Sequence, residues 1–153
     1  MASQVDALAP ITPVRRNRAV VAGGLAAAAV IAVALNATVA AIAHAAGAPP
    51  DFSPLLLPTF ALFTVAGIVI GAVGWARIRA RSAHPRALLR RLVPVVLVAS
   101  YVPDLLVGIS GLLPGTTWGA VTGLMVMHIV VVGIAVPSYS LVLPLPGNAG
   151  DMA

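Results

Sequence analysis

The chain contains four long apolar stretches separated by short, more polar connections. They cover roughly residues 19–43, 58–76, 92–113 and 119–140. Each approaches or exceeds the ~20 residues that an α-helix needs to cross the hydrocarbon core of a bilayer. The pattern predicts an all-α, polytopic membrane protein with a four-transmembrane-helix bundle over residues 19–143. Residues 1–18 and 144–153 are expected to be flexible tails.

The composition supports this class and removes several kinds of chemistry. Hydrophobic residues make up 60% of the chain and charged residues only 8%, against the roughly 25% charge of soluble domains. The absence of lysine excludes Schiff-base chemistry, and the absence of cysteine excludes thiolate nucleophiles, dithiol relays and cysteine metal sites. No cofactor is expected.

The positive charges predict the orientation. All 9 basic side chains are arginines, and they form one group before the first apolar stretch and another between the second and third. By the positive-inside rule, both termini and the central connection are cytoplasmic in a multi-pass protein of the inner (plasma) membrane. The arginines are expected to contact anionic membrane lipids, and nucleic-acid binding is not expected. Trp75 and Trp118 fit the aromatic belts at the membrane interfaces.

The N-terminal third allows a competing interpretation. A basic stretch, an apolar run and the small residues around His44 resemble a secretory signal with its cleavage site. The apolar run is about twice the usual length of such a signal, which favours a transmembrane helix.

Two ionisable residues lie within the apolar stretches, where hydrocarbon should reject them. Asp104 lies near the middle of the third helix and His128 near the middle of the fourth. An ionised carboxylate at that depth costs about 2.5–3.5 kcal/mol on insertion scales. Because the two helices run in opposite directions, a rise of 1.5 Å per residue places both side chains at about the same depth. We therefore expect them within direct or one-water hydrogen-bonding reach.

Other polar or adaptable side chains fall in the same outer half of the predicted bundle. Tyr101 is the third candidate for catalysis beside Asp104 and His128, because it lies one turn from Asp104 on the same helix face. The candidate ligand-binding residues are Asn36, Thr64, Ser100 and Met125. A catalytic metal needs about three protein ligands, and the outer half offers two, so no metal site is expected.

The second helix carries Gly67 and Gly71 at a four-residue spacing. Small residues at this spacing let helix backbones approach closely. Packing within the bundle is favoured, and a homodimer through the same glycines remains open.

Short motifs also carry a resemblance to a known group. The arginine-flanked, alanine-rich first helix, the sequence AVGW at residues 72–75, the arginine-rich connection and the sequence LMVMHIVV at residues 124–131 followed by Pro137 are similar to a group of small four-helix membrane proteins from high-GC bacteria. That group is an uncharacterised domain, and the resemblance covers roughly residues 18–143. It implies the four-helix architecture and no activity, and Asp104 does not match its pattern.

Three functions remain open from the sequence. The first is an outer-half pocket that binds a lipophilic small molecule, with cofactor-free isomerisation or cyclisation by Asp104 as general acid and His128 as its base or orienting partner. The second is a proton-linked transporter or channel subunit, in which Asp104 titrates between the two sides. The third is a structural accessory subunit, in which the pair fixes helix register. The apolar inner halves of the first two helices favour access from one side, and hence the pocket.

Overall fold

The computed structural model describes residues 17–146, and within them the chain is helical without strands. The four main helices are α1 (Arg18–Ala45), α2 (Leu57–Arg81), α3 (Pro85–Ser110) and α4 (Trp118–Val142), with a short 3-10 turn at Ser53–Leu55. Each main helix is long and apolar enough to cross a membrane. The all-α, four-helix prediction is confirmed, whereas residues 1–16 and 147–153, most of the two tails, lie outside the described residues.

Local chemistry fixes the helix ends. The Asn17 side chain accepts a hydrogen bond from the Ala19 amide at the start of α1, and the Thr117 hydroxyl accepts from Ala120 at the start of α4. These bonds satisfy amides that have no partner inside a helix. Proline occupies the first turn of α2 and of α3, where its missing N–H costs nothing. Gly111, with φ 60°, ends α3 in the left-handed conformation.

The arginine-rich segment differs from its predicted form. The sequence suggested a loop, yet α2 continues to Arg81 and α3 begins at Pro85, so the connection comprises only residues 82–84. Arginine is a good helix former, and Pro85 is suited to the first helical position, so both helices extend beyond their apolar stretches. The six arginines therefore lie on the last turns of α2 and the first turns of α3: Arg77, Arg79, Arg81, Arg86, Arg90 and Arg91.

The four helices do not share the packing equally. α4 contacts each of the other three, and its largest interface is with α1. Glycine allows the α1–α4 approach, since a Cβ at Gly24 would lie 2.5 Å from Val142 and one at Gly123 would lie 3.2 Å from Ala43. α3 is the most peripheral helix, because 6% of its apolar membrane-spanning segment is buried inside the bundle, against 33% for α4.

Two apolar clusters fill the bundle. The arginine-end cluster lies toward the arginine-bearing helix ends and comprises Ala32, Ile68, Ala72, Trp75, Leu89, Ala135 and Tyr139. The opposite-end cluster comprises Ala40, Ala43, Ala48, Phe52, Leu55, Phe60, Ala120 and Met127. Because α1 contributes to both clusters, it is an integral helix of the bundle.

The connection between α1 and α2 closes the opposite end. Phe52 and Leu55 are 0% and 2% exposed, and both pack into the opposite-end cluster. An aromatic ring and a leucine buried in this way strongly favour the folded connection, at about 1.5–3 kcal/mol per side chain. The bundle is thus filled by apolar side chains at this end.

The arginine end is closed by Trp75 and Tyr139, whose ring centroids are 5.6 Å apart. The Trp75 indole donates to the Leu143 carbonyl at 3.1 Å, and the Tyr139 hydroxyl donates to the Ile68 carbonyl at 2.6 Å. Trp75 is 6% exposed, so its ring packs against protein, and its place in an interfacial belt stays a prediction. Trp118, at 60% exposed, is compatible with an interfacial position.

The two glycines of the small-residue pattern have different surroundings. A Cβ at Gly71 would lie 2.5 Å from the Tyr139 hydroxyl oxygen, whereas a Cβ at Gly67 would meet nothing within 4 Å. Gly71 therefore serves packing within the bundle. Gly67 faces outward, and a homodimer through it stays a prediction.

Candidate functional site

A polar pair separates the two apolar clusters between α1 and α2. Asn36 lies one turn from the arginine-end cluster on one side and one turn from the opposite-end cluster on the other, and Thr64 has the same position on α2. The Asn36 side-chain amide donates to the Thr64 hydroxyl at 2.9 Å, and both residues are buried. Such an interhelical bond fixes the register of two membrane helices at about 0.6–2 kcal/mol.

The second polar pair lies between α3 and α4. The Nδ1 atom of His128 is 3.2 Å from the Oδ2 atom of Asp104, so the predicted proximity of these two side chains is confirmed. The Asp104 side chain is 12% exposed, and the His128 side chain is 37% exposed. The carboxylate is therefore the inner member of the pair, and the imidazole is the member that reaches the bundle surface.

The hydrogen bond of His128 defines its tautomer. Nδ1 lies 3.0 Å from the carbonyl oxygen of Leu124, one turn earlier on α4. A carbonyl can only accept, so Nδ1 carries the hydrogen. This hydrogen is directed at Leu124, because Asp104 Oδ2 is buried without a hydrogen-bond partner among the described residues despite its short distance from Nδ1. The Asp104 carboxyl oxygen thus contacts Nδ1 while the Leu124 carbonyl accepts its hydrogen.

This tautomer leaves the other ring nitrogen free. Within residues 17–146, Nε2 of His128 has no hydrogen-bond partner, and it is not among the buried unpartnered atoms. A neutral imidazole protonated at Nδ1 presents a lone pair at Nε2. The Tyr101 hydroxyl likewise has no hydrogen-bond partner in the described part of the chain, and it is not among the buried unpartnered atoms. The rings of Tyr101 and His128 meet edge to face, 6.1 Å apart at 86°.

Of the two other predicted residues, Ser100 bonds within its own helix, and a ligand contact of Met125 stays a prediction. The Ser100 hydroxyl donates to the Leu97 carbonyl of its own helix at 2.6 Å, so its hydrogen is already used. Met125 is half-buried on α4, near His128 in sequence. A Cβ at Gly108 would lie 3.0 Å from the Trp118 ring, so this ring fills the space beside the glycine.

The predicted site residues thus occupy two places. Asn36 and Thr64 pair between α1 and α2, whereas Asp104, His128 and Tyr101 meet at α3 and α4. No hydrogen bond or ion pair joins the two groups within the described ranges. The candidate site is the second group, which we call the α3–α4 site (Tyr101, Asp104, Leu124 carbonyl, His128).

Sequence reasoning did not identify the Leu124 carbonyl as part of this site. Every residue carries a carbonyl, so composition gives no signal for it, although any helical histidine can reach the carbonyl four positions earlier. Sequence reasoning also did not identify Phe52, whose burial depends on the path of the connection. Among residues 17–146, no three histidine, aspartate or glutamate side chains converge as a metal site would require.

Comparison with known proteins places this architecture in a family. The chain belongs to DUF6069, a family of unknown function, whose model matches residues 15–143. The match covers all four helices up to the residue after α4, in agreement with the resemblance to an uncharacterised domain. No curated protein and no solved structure matches the chain.

Proposed function

We propose that this multi-pass membrane protein binds a lipophilic small molecule at the α3–α4 site and exchanges a proton with it. The observation that carries the proposal is the 3.2 Å contact between buried Asp104 and His128, with Nε2 left unpartnered and accessible. Ionisable residues within membrane helices are costly and mark functional sites by default. At this site an ionisable pair leaves a ring nitrogen and a hydroxyl accessible to a ligand, whereas the Asn36–Thr64 pair is buried and has no ionisable group.

The packing supports entry of the ligand from the membrane. The two apolar clusters fill the bundle at both ends, around Phe52 at one and around Trp75 and Tyr139 at the other. The accessible atoms of the α3–α4 site instead lie at the surface of the helices, which hydrocarbon surrounds in a bilayer. This arrangement favours a lipophilic ligand over an aqueous path along the axis of a single chain.

The geometry supports roles for His128 and Asp104 that differ from those of the sequence-based hypothesis. In the proposed mechanism His128 Nε2 takes the proton from the ligand and returns it, which isomerisation or cyclisation without a cofactor requires. Asp104 is the buried partner that stabilises the imidazolium formed in between. Tyr101 orients the ligand through its free hydroxyl. The reaction would thus rest on residues of α3 and α4 alone.

A direct test is native mass spectrometry of the protein released from membranes in a mild detergent. We expect a lipophilic molecule bound to the unaltered chain, largely lost from His128→Leu and retained by the control Ser100→Ala, whose hydroxyl serves its own helix. A bound molecule that all three proteins retain equally would place the ligand elsewhere. An unaltered protein free of small molecules in every preparation would argue against the binding function.

We further propose that both termini are cytoplasmic and that the protein resides in the plasma membrane. The support is the positive-inside rule applied to the arginine-bearing ends of α2 and α3. Since the natural chain has 0 cysteines, single cysteines report orientation cleanly. We expect Ser53→Cys, at the exposed connection after α1, to react with an impermeant maleimide outside intact cells. Ala83→Cys should react only after permeabilisation, and the reverse pattern would overturn the orientation.

A further inference from the structure

The α3–α4 site offers one particular set of hydrogen-bonding atoms. In the neutral imidazole His128 Nε2 is an acceptor, because Nδ1 carries the one ring hydrogen. The Tyr101 ring lies edge to face with the imidazole, and its hydroxyl has no hydrogen-bond partner among the described residues, so it can donate and accept. The Asp104 carboxyl group lies on the Nδ1 side of the imidazole. A complementary ligand must therefore donate to Nε2 and accept from Tyr101 at neighbouring positions.

The route to the site restricts the charge of that ligand. Both ends of the bundle are filled by apolar clusters, so the ligand reaches Nε2 through hydrocarbon. Transfer of a charged head group from water to such an environment costs several kcal/mol, whereas transfer of a hydroxyl costs far less. A hydroxyl also donates one hydrogen bond and accepts two, which matches the atoms on offer.

We propose that the ligand is a neutral lipophilic alcohol or phenol, whose hydroxyl donates to His128 Nε2 and accepts from the Tyr101 hydroxyl. This inference rests on the proposed binding function and narrows it to one head-group chemistry. The apolar remainder of the ligand lies in the membrane along α3 and α4.

The test uses a matched set of probes with the full-length protein in lipid nanodiscs. A radiolabelled long-chain para-alkylphenol is the reference, and its methyl ether and a long-chain alkylammonium ion are the competitors. The methyl ether keeps size and shape but cannot donate, so we expect it to bind roughly tenfold more weakly, the worth of one hydrogen bond. The ammonium ion should also compete poorly, because it must cross hydrocarbon as an ion.

Two variants assign the binding to the site. Tyr101→Phe keeps the ring beside His128 and removes only the hydroxyl, so phenol affinity should fall roughly tenfold. Ser100→Ala, at the adjacent position, should bind the phenol unchanged because its hydroxyl already bonds to Leu97.

The outcomes separate the two proposals. Ether or ammonium binding as tight as phenol binding, still weakened in Tyr101→Phe, would overturn the hydroxyl preference and leave the binding function standing. Phenol binding that is equal in Tyr101→Phe and the unaltered protein would overturn the inference by placing the probe elsewhere. Absence of saturable binding of every probe would overturn both the inference and the binding function.

Discussion

Replacing Asp104 by Asn is expected to abolish conversion of the bound lipophilic molecule while leaving the unfolding temperature within a few degrees of the unaltered protein. The amide keeps the size and shape of the carboxyl group beside His128, so packing between α3 and α4 is preserved. It cannot carry the negative charge that stabilises an imidazolium at His128, so proton uptake at Nε2 becomes much less favourable. Product formation from the purified ligand and thermal unfolding in detergent are the two measurements.

His128→Gln is the companion variant. Glutamine retains a hydrogen-bonding side chain but has no group that titrates near neutrality, so it should also bind without turnover. Undiminished activity together with unchanged stability in both variants would sink the catalytic and proton-transport functions and leave the structural one. Loss of folding in Asp104→Asn alone would show that the charge itself holds the bundle, and His128→Gln would then carry the functional test.

Replacing Gly71 by Ala should destabilise the bundle, although alanine normally stabilises a helix relative to glycine by up to about 1 kcal/mol. The new Cβ would lie 2.5 Å from the Tyr139 hydroxyl oxygen and 3.3 Å from its ring. Tyr139 cannot simply move away, because it is 5% exposed, packs on Trp75 and donates to the Ile68 carbonyl. Overpacking costs about 1–3 kcal/mol, and the displaced hydrogen bond adds about 0.5–1.5 kcal/mol.

Gly67→Ala is the matched control on the same helix. Its Cβ would meet nothing within 4 Å, so only the gain in helix propensity should appear. Thermal unfolding in one detergent, with the oligomeric state checked by light scattering, compares the two variants. Equal stability of Gly71→Ala and Gly67→Ala would contradict the close Tyr139 contact. A change of oligomeric state in Gly67→Ala alone would reveal a homodimer through the outward-facing glycine.

The number of helices was predictable because the hydrocarbon core imposes a length of about 20 apolar residues on each span. The helix ends were less predictable, since apolarity marks the membrane and not the helix. Arg79 and Arg86 lie outside the apolar stretches, yet they belong to α2 and α3. Arginine favours helix wherever it is solvated, so hydropathy alone underestimates the length of a membrane helix.

The candidate site could also be predicted only in part from the sequence. Depth follows from counting 1.5 Å per residue, and this was enough to predict that Asp104 and His128 meet. Which helices are neighbours does not follow from depth. The sequence predicted Asn36 at a similar depth, but α1 packs chiefly on α4 and α2, and no comparable interface joins it to α3 in the described residues. Polar residues that were predicted at one depth therefore form two separate pairs, Asn36–Thr64 and Asp104–His128.

The order of synthesis gives the central position of α4 a consequence for biogenesis. The helix that contacts all three others is the last of the four to be synthesised, so α3 leaves the ribosome before its main packing partner exists. During that interval Asp104 has no His128 beside it and carries the insertion penalty of about 2.5–3.5 kcal/mol alone. Protonation of Asp104 at this three-helix stage would remove that penalty, because burial disfavours the charged form of a carboxyl group. Arrival of α4 then gives α3 its main packing partner and brings His128 into contact with Asp104.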